Sequence, residues 1–133
     1  MYNLGCCYYH GVSGMPQDKA KAVELHLKAG ELGCAESYGN VGNAYALGDS
    51  AEQDMKKAEH YFELAAIGGN VYARGNLGGI EQNRGNLDRA IKHWTIAAGC
   101  GLVGAVNCIQ KLYEDGLATK DDYLKALRAY QTN

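Results

Sequence analysis

Small residues and residues with a ring recur along the chain at fixed spacings, and this pattern occurs four times. Each copy contains an alanine at the same place, with steps of 36, 32 and 36 residues between copies: Ala22, Ala58, Ala90 and Ala126. Four positions after each alanine there is a residue with a ring: His26, Phe62, Trp94 and Tyr130. Residues four apart lie one turn apart on the same face of an α-helix. The pattern therefore predicts one amphipathic helix in every copy.

A second frame, upstream of the first, predicts a partner helix in each copy. It is marked by a glycine that becomes a glutamine in the last copy: Gly5, Gly42, Gly78 and Gln110. A glycine here is expected to let two helices cross closely, because no side chain stands between the backbones, and Gln110 is expected to hold its pair slightly further apart. Further glycines fall where helices or loops require a left-handed residue: Gly11, Gly33, Gly48, Gly69, Gly85, Gly101 and Gly116.

The two frames together predict eight helices in four pairs. The first helices are expected near Tyr2–His10, Ser37–Leu47, Tyr72–Asn83 and Ala105–Asp115. The second helices are expected near Asp18–Leu32, Met55–Ile67, Leu87–Ala98 and Asp121–Gln131. An aspartate at or near each second-helix start can cap free N–H groups: Asp18, Asp54, Asp88 and Asp121. One pair cannot bury its apolar face alone, so the pairs are predicted to stack as an α-solenoid.

The segments "YYHGVSGMPQDKAKAVELHLKAGELGCA" and "AESYGNVGNAYALGDSAEQDMKKAEHYFELAAIGGN" resemble Sel-1-like repeats, which are relatives of the tetratricopeptide repeat. The third copy, with its short loop "NRGNLDRA", is closer to a plain tetratricopeptide turn. The resemblance implies an all-α, right-handed α-solenoid of about four helix-turn-helix repeats, in one array with incomplete terminal repeats. The repeats are expected at 1–34, 35–70, 71–102 and 103–133. It also implies a non-enzymatic scaffold or adaptor, as in membrane-associated ubiquitin-ligase and signalling complexes.

The charge of the chain is nearly balanced, with 13 Lys+Arg against 15 Asp+Glu among 133 residues. No basic stripe offers a phosphate-binding surface, so nucleic acid is not an expected partner. The longest weakly polar run, Ala97 to Val106, is far shorter than the roughly 20 residues of a membrane helix, so membrane insertion is not predicted. No leader follows Met1, which favours a cytoplasmic or nuclear protein.

No motif predicts a catalytic centre, and no cofactor or metal site is predicted. Cys6 and His10 form an i, i+4 pair, but two ligands are too few for structural zinc. Five cysteines without a leader argue for free thiols in a reducing compartment. Cys100 and Cys108, eight apart, share the spacing of helix-linking disulfides in cysteine-rich bacterial members of the family that the chain resembles. A small-molecule binder or enzyme of that β-lactam-associated type is therefore an alternative.

The leading hypothesis is that another protein or peptide binds in a concave groove, which the first helices line in tetratricopeptide-type stacks. Transferring that register gives these groove candidates: Tyr9, His10, Asn43, Leu47, Tyr72, Gln82, Asn83, Lys111 and Glu114. Tyrosine and asparagine suit adaptable contacts with a peptide. A third hypothesis is a spacer or dimerisation array that self-associates through apolar ends, where these residues stand: Tyr2, Leu4, Leu127 and Tyr130. The chain is also expected to be a piece of a longer array.

Overall fold

A computed structural model describes residues 19–48 and 53–132, and all regular elements within those ranges are α-helices. In chain order they are α1 (Lys19–Glu31), α2 (Ala35–Leu47), α3 (Met55–Ile67), α4 (Val71–Asn83), α5 (Leu87–Gly99), α6 (Val103–Glu114) and α7 (Lys120–Gln131). The all-α prediction is confirmed for this part of the chain. The predicted helix Tyr2–His10 and the predicted cap Asp18 lie outside the described residues, as do Gly5 and Gly11.

The helix bounds agree with the sequence pattern to within two residues. The largest differences are at the starts of α2 and α6, which begin at Ala35 and Val103, two residues before the predicted positions. The residues that precede these helices, Cys34 and Leu102, are extended and their side chains accept no capping hydrogen bond. These starts therefore carry no capping residue that a sequence could reveal.

The second helices α3 and α7 are capped by side chains. One carboxylate oxygen of Asp54 accepts from the backbone N–H groups of Lys56 and Lys57, both at 3.1 Å, as the sequence predicts. In α7 the cap is Thr119, whose hydroxyl accepts from the Asp122 N–H while the Asp122 carboxylate accepts from the Thr119 N–H. The predicted caps in the last two pairs are wrong.

Those two predicted caps were Asp88 and Asp121, and both lie in the first turn of their helix. The residue at the N-cap of α5 is Asn86, which makes no side-chain capping bond. A first-turn carboxylate is favoured by the partial positive charge at the start of a helix without capping an N–H group. This is why Asp88 and Asp121 lie near the helix starts without being the caps themselves.

The predicted left-handed glycines within the described ranges are confirmed, with φ between 70° and 103°: Gly33, Gly48, Gly69, Gly85, Gly101 and Gly116. Each follows a helix, where a residue with a side chain would be strained. They close the turns within the repeats and the connections from one repeat to the next.

The chain divides into two compact units, Met1–Asn70 and Val71–Asn133. In the described part of the first unit, α2 packs against both α1 and α3. The Phe62 ring of α3 is 2 % exposed and lies against Gly42 of α2, where an added Cβ would stand 2.7 Å from two ring carbons. In this pair the ring of the sequence frame is therefore buried between the two helices.

In the second unit, α5 packs against α4, α6 and α7 around one hydrophobic core. Trp94 of α5 is 3 % exposed, and its ring lies against Gly78, where an added Cβ would be 2.6 Å from the ring carbon Cδ1. Its indole Nε1 donates a hydrogen bond of 3.1 Å to the Gly75 carbonyl oxygen. Leu127 and Tyr130 of α7 are half-buried and pack against the same core.

The role predicted for the frame glycines needs one correction. Gly42 and Gly78 do permit the two helices of a pair to pack, but the group next to each glycine is an aromatic ring and not the partner backbone. The glycine thus makes the space that the ring of the second helix fills. Small and large residues at these paired positions are complementary, as close packing of an interior requires.

Candidate functional site

The candidate binding surface is the exposed face of the first helices. On each of the three first helices that the structure describes, four positions with spacings of four, three and four residues lie at the surface or are half-buried. We call each set of four a first-helix stripe. In the first unit the stripe of α2 is Glu36, Asn40, Asn43 and Leu47. In the second unit the stripes are Tyr72, Asn76, Gly79 and Asn83 on α4, and Gly104, Cys108, Lys111 and Asp115 at α6.

The structure places most of the predicted groove residues on these stripes. Asn43 and Leu47 lie on the α2 stripe, and Leu47 is 69 % exposed. Lys111 lies on the α6 stripe and its ammonium group is 3.6 Å from the Asp115 carboxylate. Glu114 is exposed but lies beside the stripe, where its carboxylate accepts from the Gln110 side chain at 3.3 Å. Tyr9 and His10 lie outside the described residues.

The α4 stripe is the most distinctive of the three because it carries no charged residue. Tyr72 is 72 % exposed at one end, and Asn83 is exposed at the other. Gln82, also predicted, is exposed one position off the stripe. Sequence reasoning missed Asn76, which lies between the two ends. An exposed asparagine in mid-helix has no apolar periodicity to mark it, and only its poor helix propensity could have drawn attention.

In the first unit, stacked tyrosines fix how α2 meets α3. The Tyr61 ring of α3 stacks on Tyr45, with centroids 5.8 Å apart, and on Tyr38, at 6.0 Å. The Lys57 ammonium group lies 5.3 Å from the Tyr45 ring centroid. Each such contact contributes on the order of 1 kcal/mol, so together they hold the two helices in one register.

In the second unit, a buried carboxylate replaces the tyrosine at the α4–α5 turn. Glu81 is 5 % exposed. It lies three residues after Gly78, the place that Tyr45 takes after Gly42 and Tyr113 takes after Gln110. Its carboxylate accepts hydrogen bonds from Arg84 at 3.2 Å and from the Asn86 side chain at 3.0 Å. The Asn86 N–H also donates to the Glu81 carbonyl oxygen at 2.9 Å. These bonds close the short turn at the end of α4, beside Asn83.

A cleft of about 540 Å³ lies in the second unit between the second helices α5 and α7. The two helices approach at Gly99 and Ala129, where a Cβ on the glycine would be 3.8 Å from the alanine Cβ. The cleft lies towards their N-terminal ends and is lined by these residues: Asp88, Ile91, Lys92, Thr95, Ile96, Asp122 and Lys125. It is separate from the stripes, and the sequence analysis did not identify it.

Metal-binding clusters and thiols are the remaining candidates for chemistry in the described residues. Within them no cluster of three or more histidine, cysteine or acidic side chains could hold a metal ion. Cys34, Cys100 and Cys108 are free thiols in the structure. Partial burial raises the pKa of the Cys108 thiol, which lowers its nucleophilic fraction at neutral pH. Among the helices of residues 19–48 and 53–132, none is both long and apolar enough to span a membrane.

Comparison with known families identifies the repeats. The family model of the Sel1 repeat matches residues 1–34, 35–70 and 68–102. These three matches correspond to the first three copies of the sequence frame. The fourth copy, with helices α6 and α7, lies beyond the last match.

Two curated relatives cover parts of the chain. Cytochrome c oxidase assembly factor 7A of Xenopus laevis is 36 % identical over 58 residues, which are 44 % of this chain and 25 % of that protein. The ERAD-associated E3 ubiquitin-protein ligase component HRD3B of Arabidopsis thaliana is 28 % identical over 96 residues, which are 71 % of this chain and 15 % of that protein. The chain thus spans a quarter or less of the length of either relative.

Two solved structures share the fold over nearly the whole chain. A Sel1 repeat protein from Oxalobacter formigenes superposes with a TM-score of 0.80 at 26 % identity, over 99 % of this chain and 57 % of that one. The protective antigen c5321 of uropathogenic Escherichia coli, which displays an SLR fold, superposes with a TM-score of 0.82 at 27 % identity, over 98 % of this chain and 29 % of that one. The architecture is an all-α solenoid of helical repeats.

Proposed function

The chain belongs to the Sel1 repeat family, and on that premise we propose that it is a non-enzymatic scaffold whose first-helix stripes bind another protein. The observation that carries this proposal is the α4 stripe, where a 72 % exposed tyrosine stands beside exposed asparagines in an uncharged face. Large exposed side chains with a polar end are the groups that dominate protein interfaces. The names of the two curated relatives, an assembly factor and a ligase component, describe proteins that act together with other proteins.

Tyr72 supplies the main contact area in this proposal. A tyrosine ring buries 150–250 Å² at roughly the cost of fixing two side-chain torsions. Asn83 and Lys111 add hydrogen-bond donors on α4 and α6, and both are exposed in the free chain. The Glu81 network adjoins this surface, because its hydrogen bonds close the turn that follows Asn83.

We also propose that the chain forms a single repeat array in which residues 103–133 supply a fourth repeat. Helices α6 and α7 pack on α5 through the same core that contains Trp94. The paired positions follow the sequence frame, with Gln110 in the glycine column and Tyr130 in the ring column. On this view the array continues the pattern of the first three repeats past the last family match.

Affinity capture with two matched variants tests the binding proposal. One variant carries Tyr72→Ala, Asn83→Ala and Lys111→Ala on first helices. The control carries Asp88→Ala, Lys92→Ala and Ile96→Ala in the cleft of the second helices. Partners captured by the unaltered chain should be lost from the first-helix variant and retained by the control. Partners lost only from the control would place binding in the cleft and refute the proposal.

Circular dichroism of both variants shows whether they fold. All six substitutions are at exposed positions, and replacing exposed residues by alanine usually changes stability by less than about 0.5 kcal/mol. If the two variants have equal helical content, a difference in the partners they capture comes from the altered surface and not from unfolding. If both variants capture the same partners as the unaltered chain, neither face binds them and the proposal is wrong.

A further inference from the structure

The cleft between α5 and α7 ends where the two helices meet. They approach at Gly99 and Ala129, where an added glycine Cβ would be 3.8 Å from the alanine Cβ. The residues that line the cleft all precede this point in their helices. Its volume of about 540 Å³ is in the range of small-molecule sites, which is about 300–1,000 Å³. The cleft is therefore large enough for one small ligand.

The charged residues of the cleft follow the same order on both helices. On α5, Asp88 comes first and Lys92 follows four residues later, a rise of about 6 Å. On α7, Asp122 comes first and Lys125 follows three residues later, a rise of about 4.5 Å. On each helix the carboxylate is thus further than the lysine from the point where the helices meet. The cleft has an acidic outer end and a basic part further in.

The apolar residues of the cleft lie on α5. Ile96 is 51 % exposed, and Ile91 is half-buried beside Lys92. The Thr95 hydroxyl donates a hydrogen bond of 2.8 Å to the Ile91 carbonyl oxygen, so its methyl group is what it offers to a ligand. Thr95 and Ile96 lie about one turn beyond Lys92, towards Gly99. The order along the cleft is therefore acidic, then basic, then apolar.

The four charged groups retain capacity for a ligand. Among the described residues, neither Asp88 nor Lys92 forms an ion pair. The Lys125 ammonium group is 3.3 Å from the Asp121 carboxylate, and an ammonium group has three donors. One oxygen of Asp122 accepts the capping N–H at the start of α7, which leaves its other oxygen. Both acidic and basic groups can therefore bind a molecule in the cleft.

We propose that the cleft binds a single-chain zwitterionic amphiphile in which the anionic group adjoins the tail and an ammonium group is outermost. A lysolipid with a phosphoethanolamine head has this order. The ammonium group lies between Asp88 and Asp122, and the anionic group lies between Lys92 and Lys125. The first carbons of the tail lie on the apolar residues of α5. This site is separate from the first-helix stripes, so the inference does not depend on the proposed function.

The lining also specifies the kind of cation. Carboxylates accept hydrogen bonds, which a primary ammonium group can donate and a quaternary one cannot. Quaternary ammonium groups are recognised mainly by the faces of aromatic rings. None of the described lining residues is aromatic. The cleft therefore favours an ethanolamine head over a choline head.

Two amphiphiles with the same tail and opposite charge order test the inference. In aminoethyl dodecyl phosphate the anion adjoins the tail and the ammonium group is outermost. In N-dodecyltaurine the ammonium group adjoins the tail and the sulfonate is outermost. Kd is measured by isothermal titration calorimetry below the critical micelle concentration of each compound. The unaltered chain should bind the phosphate roughly fivefold more tightly, because the reversed order places each charge next to groups of its own sign.

Variants of α5 show whether the cleft is the site. Asp88→Lys combined with Lys92→Asp keeps the net charge and inverts the order on one wall, so the two Kd values should come within about twofold of each other. The variant with Asp88→Ala, Lys92→Ala and Ile96→Ala should bind the phosphate roughly tenfold more weakly. The matched control Lys120→Ala removes an exposed lysine of α7 that does not line the cleft, and it should change neither Kd.

The results that would overturn the inference are distinct from those that concern the stripes. If neither amphiphile binds, or if the unaltered chain binds both equally, the cleft does not recognise this charge order. If the phosphate binds the triple-alanine variant as it binds the unaltered chain, the amphiphile lies elsewhere and the inference is wrong. Circular dichroism checks folding, and the triple-alanine variant decides the test if the charge-swapped variant loses helix. A stripe that captures no protein would leave these results unchanged.

Discussion

Replacing Gly78 by alanine should destabilise the second unit, and replacing its neighbour Gly79 should stabilise it. The new methyl group at Gly78 would lie 2.6 Å from Cδ1 of Trp94, about 1 Å inside normal carbon contact, so the ring must move. Overpacking of this kind costs about 1–3 kcal/mol. Displacing the indole also weakens its 3.1 Å bond to the Gly75 carbonyl oxygen, at about 1 kcal/mol.

The gain in helix propensity offsets about 1 kcal/mol of that loss, which leaves Gly78→Ala about 2 kcal/mol less stable. Gly79→Ala gains the same propensity without a clash and should be about 1 kcal/mol more stable. Urea unfolding followed by fluorescence measures both values, because Trp94 is the only tryptophan of the chain. In a Trp94→Leu background, followed by circular dichroism, the penalty at Gly78 should largely disappear. If Gly78→Ala and Gly79→Ala stabilise the second unit equally, the Trp94 ring does not pack against Gly78.

Three further changes test other contacts of the described residues. Glu81→Ala should lower the free energy of unfolding in urea by about 2 kcal/mol, because it removes a buried carboxylate that accepts two hydrogen bonds. The control Arg89→Ala, whose side chain is 73 % exposed, should lower it by about 0.5 kcal/mol. Burial lowers the pKa of His26, so its neutral form is favoured in the fold. The stability of the chain should therefore be full above pH 6.5 and fall as the pH drops below that value. His26→Phe should reduce this loss of stability, which urea unfolding at about pH 7 and about pH 5.5 measures. Thr119→Ala should lower the free energy of unfolding by about 1 kcal/mol in thermal unfolding, and Asp121→Ala by about 0.5 kcal/mol or less. Equal effects of the two substitutions would contradict Thr119 as the cap.

The repeat frame could be predicted from the sequence because helical packing imposes a period on it. Ala58 and Phe62 are one turn apart and both are buried, as the spacing requires. A glycine is found at position 42 because the Phe62 ring occupies the space that a side chain would need. These relations connect residues at fixed separations, so they remain visible in the order of the amino acids.

The Glu81 network could not be predicted in the same way. Its members come from the end of α4, the turn and the start of α5, and only the folded turn brings their polar atoms together. In the sequence, Glu81 only stands where two other copies of the repeat have Tyr45 and Tyr113, and nothing there indicates its partners. The helix starts at Ala35 and Val103 were missed for a related reason, since backbone conformation and not a capping side chain sets them.

The stripes were predicted in part, because exposure leaves a weaker mark on a sequence than burial does. Asn43 and Tyr72 were found by transferring the register of a related fold. Asn76 and Gly79 were not found, although both are unusual for the surface of a helix. Low helix propensity at an exposed helical position, with no packing reason for it, is the signal that would have identified them.

Mapping a captured partner onto the chain by NMR tests the central claim most directly. The chain is labelled with ¹⁵N, and amide shifts are followed as the partner is added. The account predicts that the largest shifts occur on α4, at the backbone amide of Tyr72 and the side-chain amides of Asn76 and Asn83. Shifts confined to Ile91, Lys92 and Ile96, in the cleft between α5 and α7, would contradict it.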